Sequence, residues 1–183
     1  MHHPYLAQAC LDIDGVLCVD PTNEENDDGP NYREFLSCTR PLFIPSVKVA
    51  HLVTSRLEKY RAETEEWLER NGVQYGTLHM LDLPTAEERR RLNIHHKFKA
   101  EVYANQPLTR LFVESEVRQA VEIMKLSRKP VYCIETNEMY VPGQVYNLKA
   151  NTLRKTHSLK AKLIGKAKSI LSRWAPVAPS SKS

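Results

Sequence analysis

The sequence predicts a three-layer α/β fold built on a mostly parallel, Rossmann-like sheet. Short apolar runs typical of buried strands alternate with segments of helical period, and turn or capping signals separate the two. Strands that alternate with helices require crossover connections, which cover both faces of a parallel sheet with helices. The 183 residues, of which 42% are hydrophobic, are enough for one domain with a sizeable core.

The apolar runs predict strands at residues 9–13, 47–54, 75–81, 111–113 and 131–134. The first strand ends in a turn at Gly15. Apolar residues at helical spacing after the second strand predict a helix that stops at Asn71 and Gly72. Thr85 to Glu88 matches a capping box that opens a charged helix. Further helices are predicted at residues 99–105 and along the apolar face of Val117, Ala120, Val121 and Met124.

Charge is distributed unevenly along the chain. The net charge of +4 combines 17 Lys and Arg against 22 Asp and Glu in residues 1–147 with nine Lys and Arg and no acid in residues 148–183. Residues 20–32 are predicted to form an irregular acidic loop, and the run EERRR at 87–91 a solvated helix face. The chain therefore divides into a domain at 1–147 and a basic tail at 148–183.

The tail is predicted to contain an amphipathic helix followed by a disordered C-terminus at residues 175–183. A single helical stripe, with lysines on the opposite side, contains Leu159, Leu163, Ile170 and Trp174. Such a helix suits an anionic membrane surface or the phosphates of a nucleic acid. Packing of the stripe against the domain is the third alternative.

Several classes of protein do not match the sequence. The first residues lack the pattern of a signal peptide, and no segment reaches the roughly 18–20 apolar residues of a membrane span. A P-loop of the form GxxxxGK[ST] is also absent. The four cysteines include no CxxC pair, which argues against a cysteine zinc site and favours a reduced, cytoplasmic setting.

The strongest chemical signal is the segment LDIDGVL at residues 11–17. Asp12 and Asp14 follow a predicted buried strand, at the edge where open α/β sheets hold ligands. In a regular strand the two carboxylates share one face, and their convergence requires a cation. Mg²⁺ binds one or two carboxylates together with substrate phosphate oxygens. The alternative is an ordinary Asx turn that uses Gly15.

Three later segments, HLVTSR, KAEVY and LFVESE, follow in a fixed order. Together with LDIDGV they resemble the four motifs of the haloacid dehalogenase superfamily, whose first motif is an apolar strand ending in DxDG. The resemblance covers roughly residues 9–137. It implies Asp12 as the nucleophile and Asp14 as the general acid/base. The lysine of the third motif would be Lys99, with Lys97 as a close alternative.

The second and fourth motifs imply the remaining site residues. Thr54 would hydrogen-bond the transferring phosphoryl group, with Ser55 and Arg56 in the substrate-binding region beside it. The fourth motif usually carries aspartates, whereas this chain has Glu114 and Glu116. Glu114 is favoured because it stands nearest the strand end, and a weakened metal site is the alternative. The implied Mg²⁺ ligands are Asp12, Asp14, Glu114 and Glu116.

The resemblance implies a Mg²⁺-dependent phosphomonoester hydrolase that forms an aspartyl phosphate. The chain is most similar to small members that have no separate cap domain and are found fused behind phosphoribosyltransferase domains. This implies an open site, a phosphorylated and large substrate, and a phosphoribosyltransferase as a partner. The alternatives are a polynucleotide 3′-phosphatase and a catalytically weak domain that binds phosphorylated ligands or regulates a phosphoribosyltransferase.

Overall fold

The structure is a computed structural model that describes residues 3–144. Within that range the chain forms a six-stranded sheet in the order β3-β2-β1-β4-β5-β6. All neighbouring strands are parallel except β6, which is antiparallel to β5. The strands are β1 (Ala9–Leu11), β2 (Val49–Leu57), β3 (Tyr75–Leu81), β4 (Leu111–Glu114), β5 (Val131–Cys133) and β6 (Glu138–Tyr140).

Helices cover both faces of the sheet, which confirms the predicted three-layer α/β fold. Leu11 and Val113 share an apolar cluster with Trp67 of α2 on one face. On the other face, Phe112 packs edge-to-face on Tyr103 of α4, with ring centroids 5.6 Å apart. The helices are α1 (Pro30–Cys38), α2 (Arg61–Arg70), α3 (Ala86–Leu92), α4 (His95–Ala104) and α5 (Val117–Ser127), with 3₁₀ turns at Pro4–Gln8 and Glu58–Tyr60.

The central position of β1 determines where the chain leaves the sheet. All three residues of β1 are fully buried, because the strand pairs with β2 on one side and β4 on the other. Leu11 is opposite both Leu52 and Val113. The amide of Asp12 then donates to the carbonyl of Val113 over 3.0 Å, so Asp12 emerges at the level where β4 ends.

The boundary signals at the ends of helices are confirmed. Gly72 follows α2 with φ of +68°, a conformation that glycine adopts readily. Thr85 caps α3, since its hydroxyl oxygen accepts a hydrogen bond from the amide of Glu88. The turn at Gly15 is also present, with φ of +71°.

Several strand ends and two elements differ from the sequence prediction. Strand β1 ends at Leu11 instead of residue 13, β4 extends to Glu114, and β5 ends at Cys133 instead of residue 134. Strand β2 begins at Val49 instead of residue 47. Strand β2 runs to Leu57 instead of residue 54, with a register shift between Val53 and Leu57. Helix α4 begins at His95 instead of Lys99. Helix α1 and strand β6 have no counterpart in the prediction, and α1 begins inside the segment expected to be an irregular loop.

The connection between β1 and β2, which is fully described, contains α1 as its helix and no separate cap domain. No helix in the described part of the chain is both long and apolar enough to span a membrane. The predicted tail, with its boundary at residues 147 and 148, lies outside the described residues.

Candidate active site

A cleft of about 330 Å³ lies at the carboxyl ends of β1, β2 and β4. Because these strands are parallel neighbours, the residues that follow or end them meet at one edge of the sheet. The cleft is lined by Asp12, Asp14, Asp20, Pro21, Asn26, Tyr32, Ser55, Arg89, His95, Lys99, Ser115, Glu116 and Gln119.

Lys99 joins the ends of β1 and β4 through its buried ammonium group. Its Nζ donates to Asp12 Oδ2 over 2.7 Å, to Glu114 Oε2 over 2.8 Å and to Gln119 Oε1 over 3.1 Å. Burial lowers the pKa of Lys99, but the two carboxylates raise it more, so the net direction is upward. Lys99 is therefore a permanent cation between Asp12 and Glu114.

Asp12 is buried and engaged at both of its carboxylate oxygens. Its Oδ1 accepts from the amide of Ile13 over 2.8 Å, and its Oδ2 accepts from Lys99. Burial raises the pKa of Asp12, Lys99 lowers it, and the negative charges of Glu114 and Asp14 raise it again, for a net upward direction. One ammonium therefore does not offset the negative charge gathered here.

Asp14 forms a separate ion pair with Arg56. Arg56 donates from Nη2 to Oδ1 over 2.7 Å and from Nε to both carboxylate oxygens over 3.2 Å. Burial raises the pKa of Asp14, but Arg56 outweighs it and the net direction is downward. Asp14 is consequently a carboxylate at neutral pH, with no proton to donate.

The turn after Asp14 packs directly against the end of β4. The hydroxyl of Ser115 donates to the carbonyl of Asp14 over 3.3 Å. A Cβ at Gly15 would lie 2.4 Å from the Cβ of Ser115, which is too close for any side chain. Glycine is therefore required at this position both by its positive φ and by the contact between the two motifs.

The two glutamates of the fourth motif have different environments. Glu114 is fully buried, and its Oε1 accepts from the amide of Ser115 over 2.9 Å. Glu116 caps α5 by accepting from the amide of Arg118, and it lines the cleft, which Glu114 does not. Within residues 3–144, no group of three or more His, Cys, Asp and Glu residues is arranged to hold a metal ion.

The second motif presents Ser55, and not Thr54, to the cleft. Thr54 is fully buried, and its hydroxyl oxygen accepts from the amide of Arg56 over 3.2 Å. Arg56 is also fully buried, behind Asp14, and does not line the cleft. Thr54 and Arg56 both lie in the part of β2 where its register with β3 shifts, between Val53 and Leu57. Lys97 is exposed and lies outside the cleft lining.

Several residues of the cleft were not predicted, and Arg89 is the most buried charged residue among them. The interpretation of residues 87–91 as a solvated face is wrong for Arg89, which is only 7% exposed. Its Nη1 donates to the carbonyl of Ser55 over 2.7 Å. The sequence did contain a signal for the burial of Arg89. Ala86, an apolar residue one helical turn before Arg89, marks the buried side of α3.

The acidic loop at residues 20–29 forms one wall of the cleft and is anchored through Asp28. The carboxylate of Asp28 accepts from Lys59 Nζ over 3.1 Å, from the hydroxyl of Tyr60 over 2.8 Å and from the amide of Ala86 over 3.0 Å. These partners precede α2 and open α3. The acidic loop is therefore anchored to the segment before α2 and to the start of α3, the helix that contributes Arg89 to the cleft.

Comparison with known proteins gives little further information. No family model matches the chain. No curated protein sequence matches it either. A solved structure described as "Structure of the Pnkp1/Rnl/Hen1 RNA repair complex" aligns with 73% of this chain and 44% of that chain, at 15% identity and a TM-score of 0.43. A likeness at this level carries no conclusion about function, and the fold class follows from the strands and helices themselves.

Proposed function

We propose that the protein is a Mg²⁺-dependent phosphomonoester hydrolase in which Asp12 is the nucleophile. The observation that supports this most is the position of Asp12, which lines the cleft with one carboxylate oxygen held 2.7 Å from the ammonium of Lys99. An oriented carboxylate beside a fixed cation can attack a phosphate monoester in line.

In the first step an oxygen of Asp12 bonds to phosphorus while the bond from phosphorus to the leaving oxygen breaks, and the leaving oxygen takes its proton from solvent water. In the second step water attacks the same phosphorus, releasing phosphate and the Asp12 carboxylate. Asp14, ionised beside Arg56, can accept the proton of that water but cannot protonate the leaving oxygen. The hydroxyl of Ser55, which has no partner among the described residues, is available to donate to a phosphoryl oxygen.

Asp12 and Glu116 are the residues that would hold Mg²⁺. Both line the cleft, and the pKa of Asp12 is raised first by burial and then by the neighbouring carboxylates, whose negative charge a divalent cation would offset. Two carboxylates match the usual protein contribution to a Mg²⁺ site, which also takes substrate oxygens. When bound, the ion would stabilise the charge on the phosphoryl oxygens. The side chain of Asp14 is already engaged by Arg56, so it is a poorer ligand.

Glu116→Gln should raise the Mg²⁺ concentration needed for half-maximal activity by roughly tenfold, because it removes an anionic ligand. Glu114→Gln, which alters a residue behind the cleft wall, should change it less. The measurement is a Mg²⁺ titration of activity, with calorimetric Mg²⁺ binding as the second readout. The opposite ranking would return the ligand assignment to Glu114.

The direct test of the proposed function is hydrolysis of p-nitrophenyl phosphate with and without Mg²⁺. Intact mass after a rapid quench should show a protein species heavier by one phosphoryl group, and peptide mapping should place it on Asp12. Turnover without Mg²⁺, or phosphate on another residue, would contradict the proposed mechanism.

The ion pair between Asp14 and Arg56 favours a second candidate, a catalytically weak domain that binds phosphorylated ligands. A carboxylate held ionised by a buried guanidinium leaves the first step without a general acid, which typically contributes about 10²–10⁴-fold. Binding of phosphate esters without turnover of either good or poor leaving groups would establish this candidate. A phosphoribosyltransferase partner remains a proposal that depends on the resemblance alone.

The basic tail is proposed to bind an anionic surface, because residues 148–183 carry nine Lys and Arg and no acid. Replacing Lys160, Lys162, Lys166 and Lys168 with Gln in the full chain should weaken binding to anionic vesicles or to single-stranded RNA. The effect should disappear at high salt, where such contacts are screened. Wild-type protein that binds neither probe at low salt would show that the tail has another role.

A further inference from the structure

Arg89 is a buried cation without an anionic partner in the described part of the chain. Its terminal nitrogens donate to two neutral oxygens, the carbonyl of Ser55 at 2.7 Å and Oδ1 of Asn26 at 3.5 Å. Its Nε is buried and has no hydrogen-bond partner within residues 3–144. Burying a guanidinium without a carboxylate is unfavourable. An anion that enters the cleft would supply the missing charge.

Arg89 and Asp12 contact different groups of the cleft. The carboxylate of Asp12 contacts the amide of Ile13 and the ammonium of Lys99. Arg89 contacts the carbonyl of Ser55 in β2 and the side chain of Asn26 in the acidic loop. Its Nε, which has no partner within residues 3–144, can therefore bind another group of a molecule whose phosphoryl group is attacked by Asp12.

The surroundings of Arg89 combine the acidic loop, which contributes Asp20 to the cleft, with a residue that can donate a hydrogen bond to an anion. His95, which opens α4, also lines the cleft. Burial, followed by the positive charges of Arg89 and Lys99, lowers the pKa of His95 to about 4. Its imidazole is therefore neutral at pH 7 and can donate one hydrogen bond without carrying a charge of its own. A guanidinium offers the forked donors that carboxylate and phosphate groups match.

We propose that Arg89 forms a subsite for a second anionic group, a carboxylate or a phosphate, on the leaving group of the substrate. The cleft of about 330 Å³ is at the lower end of the volumes of small-molecule sites, so a compact phosphorylated metabolite fits it. This inference rests on the proposed hydrolase function, whose substrate class it specifies.

The test uses three phosphate esters of the same chain length: propyl phosphate, 3-(phosphonooxy)propanoate and propane-1,3-diyl bisphosphate. In the wild-type protein, kcat/KM for the two probes with a second anion should exceed that for propyl phosphate by roughly 10- to 100-fold, the effect of a charge-assisted hydrogen bond. The larger of the two values identifies carboxylate or phosphate as the preferred group.

Arg89→Gln should reduce this preference to about onefold, and the ratio of the kcat/KM values for the three probes is the quantity that tests the subsite. The matched control is Arg90→Gln, which makes the same charge change at an exposed position of α3 and should keep the preference. If Arg89→Gln does not fold, Arg89→Lys keeps the charge but loses the fork, and the preference should still fall.

The outcomes separate this proposal from the proposed function. If the wild type hydrolyses all three probes equally well, or if Arg89→Gln keeps the preference for a second anion, the subsite proposal is wrong. Neither result contradicts the proposed hydrolase function. An equal loss for all three probes in Arg89→Gln also overturns the subsite, because Arg89 would then bind the transferred phosphoryl group. If no probe is hydrolysed, calorimetric binding of the same probes decides: a binding preference that Arg89→Gln removes supports the subsite, and its absence overturns it, while hydrolysis of p-nitrophenyl phosphate tests the hydrolase separately.

Discussion

Asp12→Asn is expected to reduce hydrolysis by at least roughly 10⁴-fold, because the amide that replaces the carboxylate is not a nucleophile. The substitution preserves the shape of the side chain, and the amide oxygen can still accept from Lys99 in place of Oδ2. No phosphorylated protein should be seen by intact mass after a rapid quench with p-nitrophenyl phosphate. An Asp12→Asn protein with normal activity would rule out Asp12 as the nucleophile.

Asp14→Asn is the matched variant, since it changes the same residue type two positions away. Phosphorylation of Asp12 by p-nitrophenyl phosphate should persist, because p-nitrophenolate leaves without protonation. Hydrolysis of the intermediate should slow by roughly 10²–10⁴-fold, so the phosphorylated protein should accumulate. The variant also leaves Arg56 buried without its partner, so its folding must be verified by circular dichroism. Identical behaviour of the two variants would contradict their different roles.

Lys99→Met is expected to lower the free energy of unfolding by about 3–5 kcal/mol, in addition to abolishing activity. The substitution leaves the carboxylates of Asp12 and Glu114 buried near each other without a cation. The control is Lys97→Met, which alters an exposed lysine of the same helix and should change stability by less than about 0.5 kcal/mol. Urea unfolding at pH 7 measures both values, and equal losses would show that Lys99 is not the central cation.

The loss in free energy of unfolding caused by Lys99→Met should increase as the pH rises. Burial already raises the pKa of Asp12, and removing the opposing charge of Lys99 raises it further above its unfolded value. The folded state then binds protons more tightly than the unfolded chain, so stability falls as pH rises through the folded pKa. The loss relative to wild type should therefore be smaller at pH 7 than at pH 9, because the wild-type pKa of Asp12, about 8, lies between these values.

The sequence predicted most of the sheet because its strands are buried on both faces and appear as apolar runs. Residues 75–81 match β3 without a shift, and Thr85 marked the start of α3. Helix α1 was missed because its N-cap residue is Gly29, which has no capping side chain. The amide of Tyr32 in the first turn is instead satisfied by the carboxylate of Asp27, inside the acidic stretch. Strand β6 was missed because it consists of three residues that are ordered by pairing with β5.

The sequence predicted those site residues that follow the ends of strands. It was less informative where the direction of a side chain determines whether the residue lines the cleft. Asp12, Lys99 and Glu114 converge although Asp12 and Lys99 are 87 residues apart in the chain. Ser55 lines the cleft and Thr54 is fully buried, and the apolar run that predicted β2 does not indicate which of the two neighbours faces the cleft. The burial of Arg89 depends on how α3 packs against β2 and the acidic loop, which is a tertiary property.

The anchoring of the acidic loop by Asp28 has a consequence for the thermodynamics of binding. Three hydrogen-bond donors from outside the loop, on Lys59, Tyr60 and Ala86, hold it in place before any ligand arrives. Ordering a free loop on association consumes conformational entropy and weakens affinity. A ligand here meets a wall that is already rigid, so its affinity is determined by the contacts it makes and not by the folding of a loop around it.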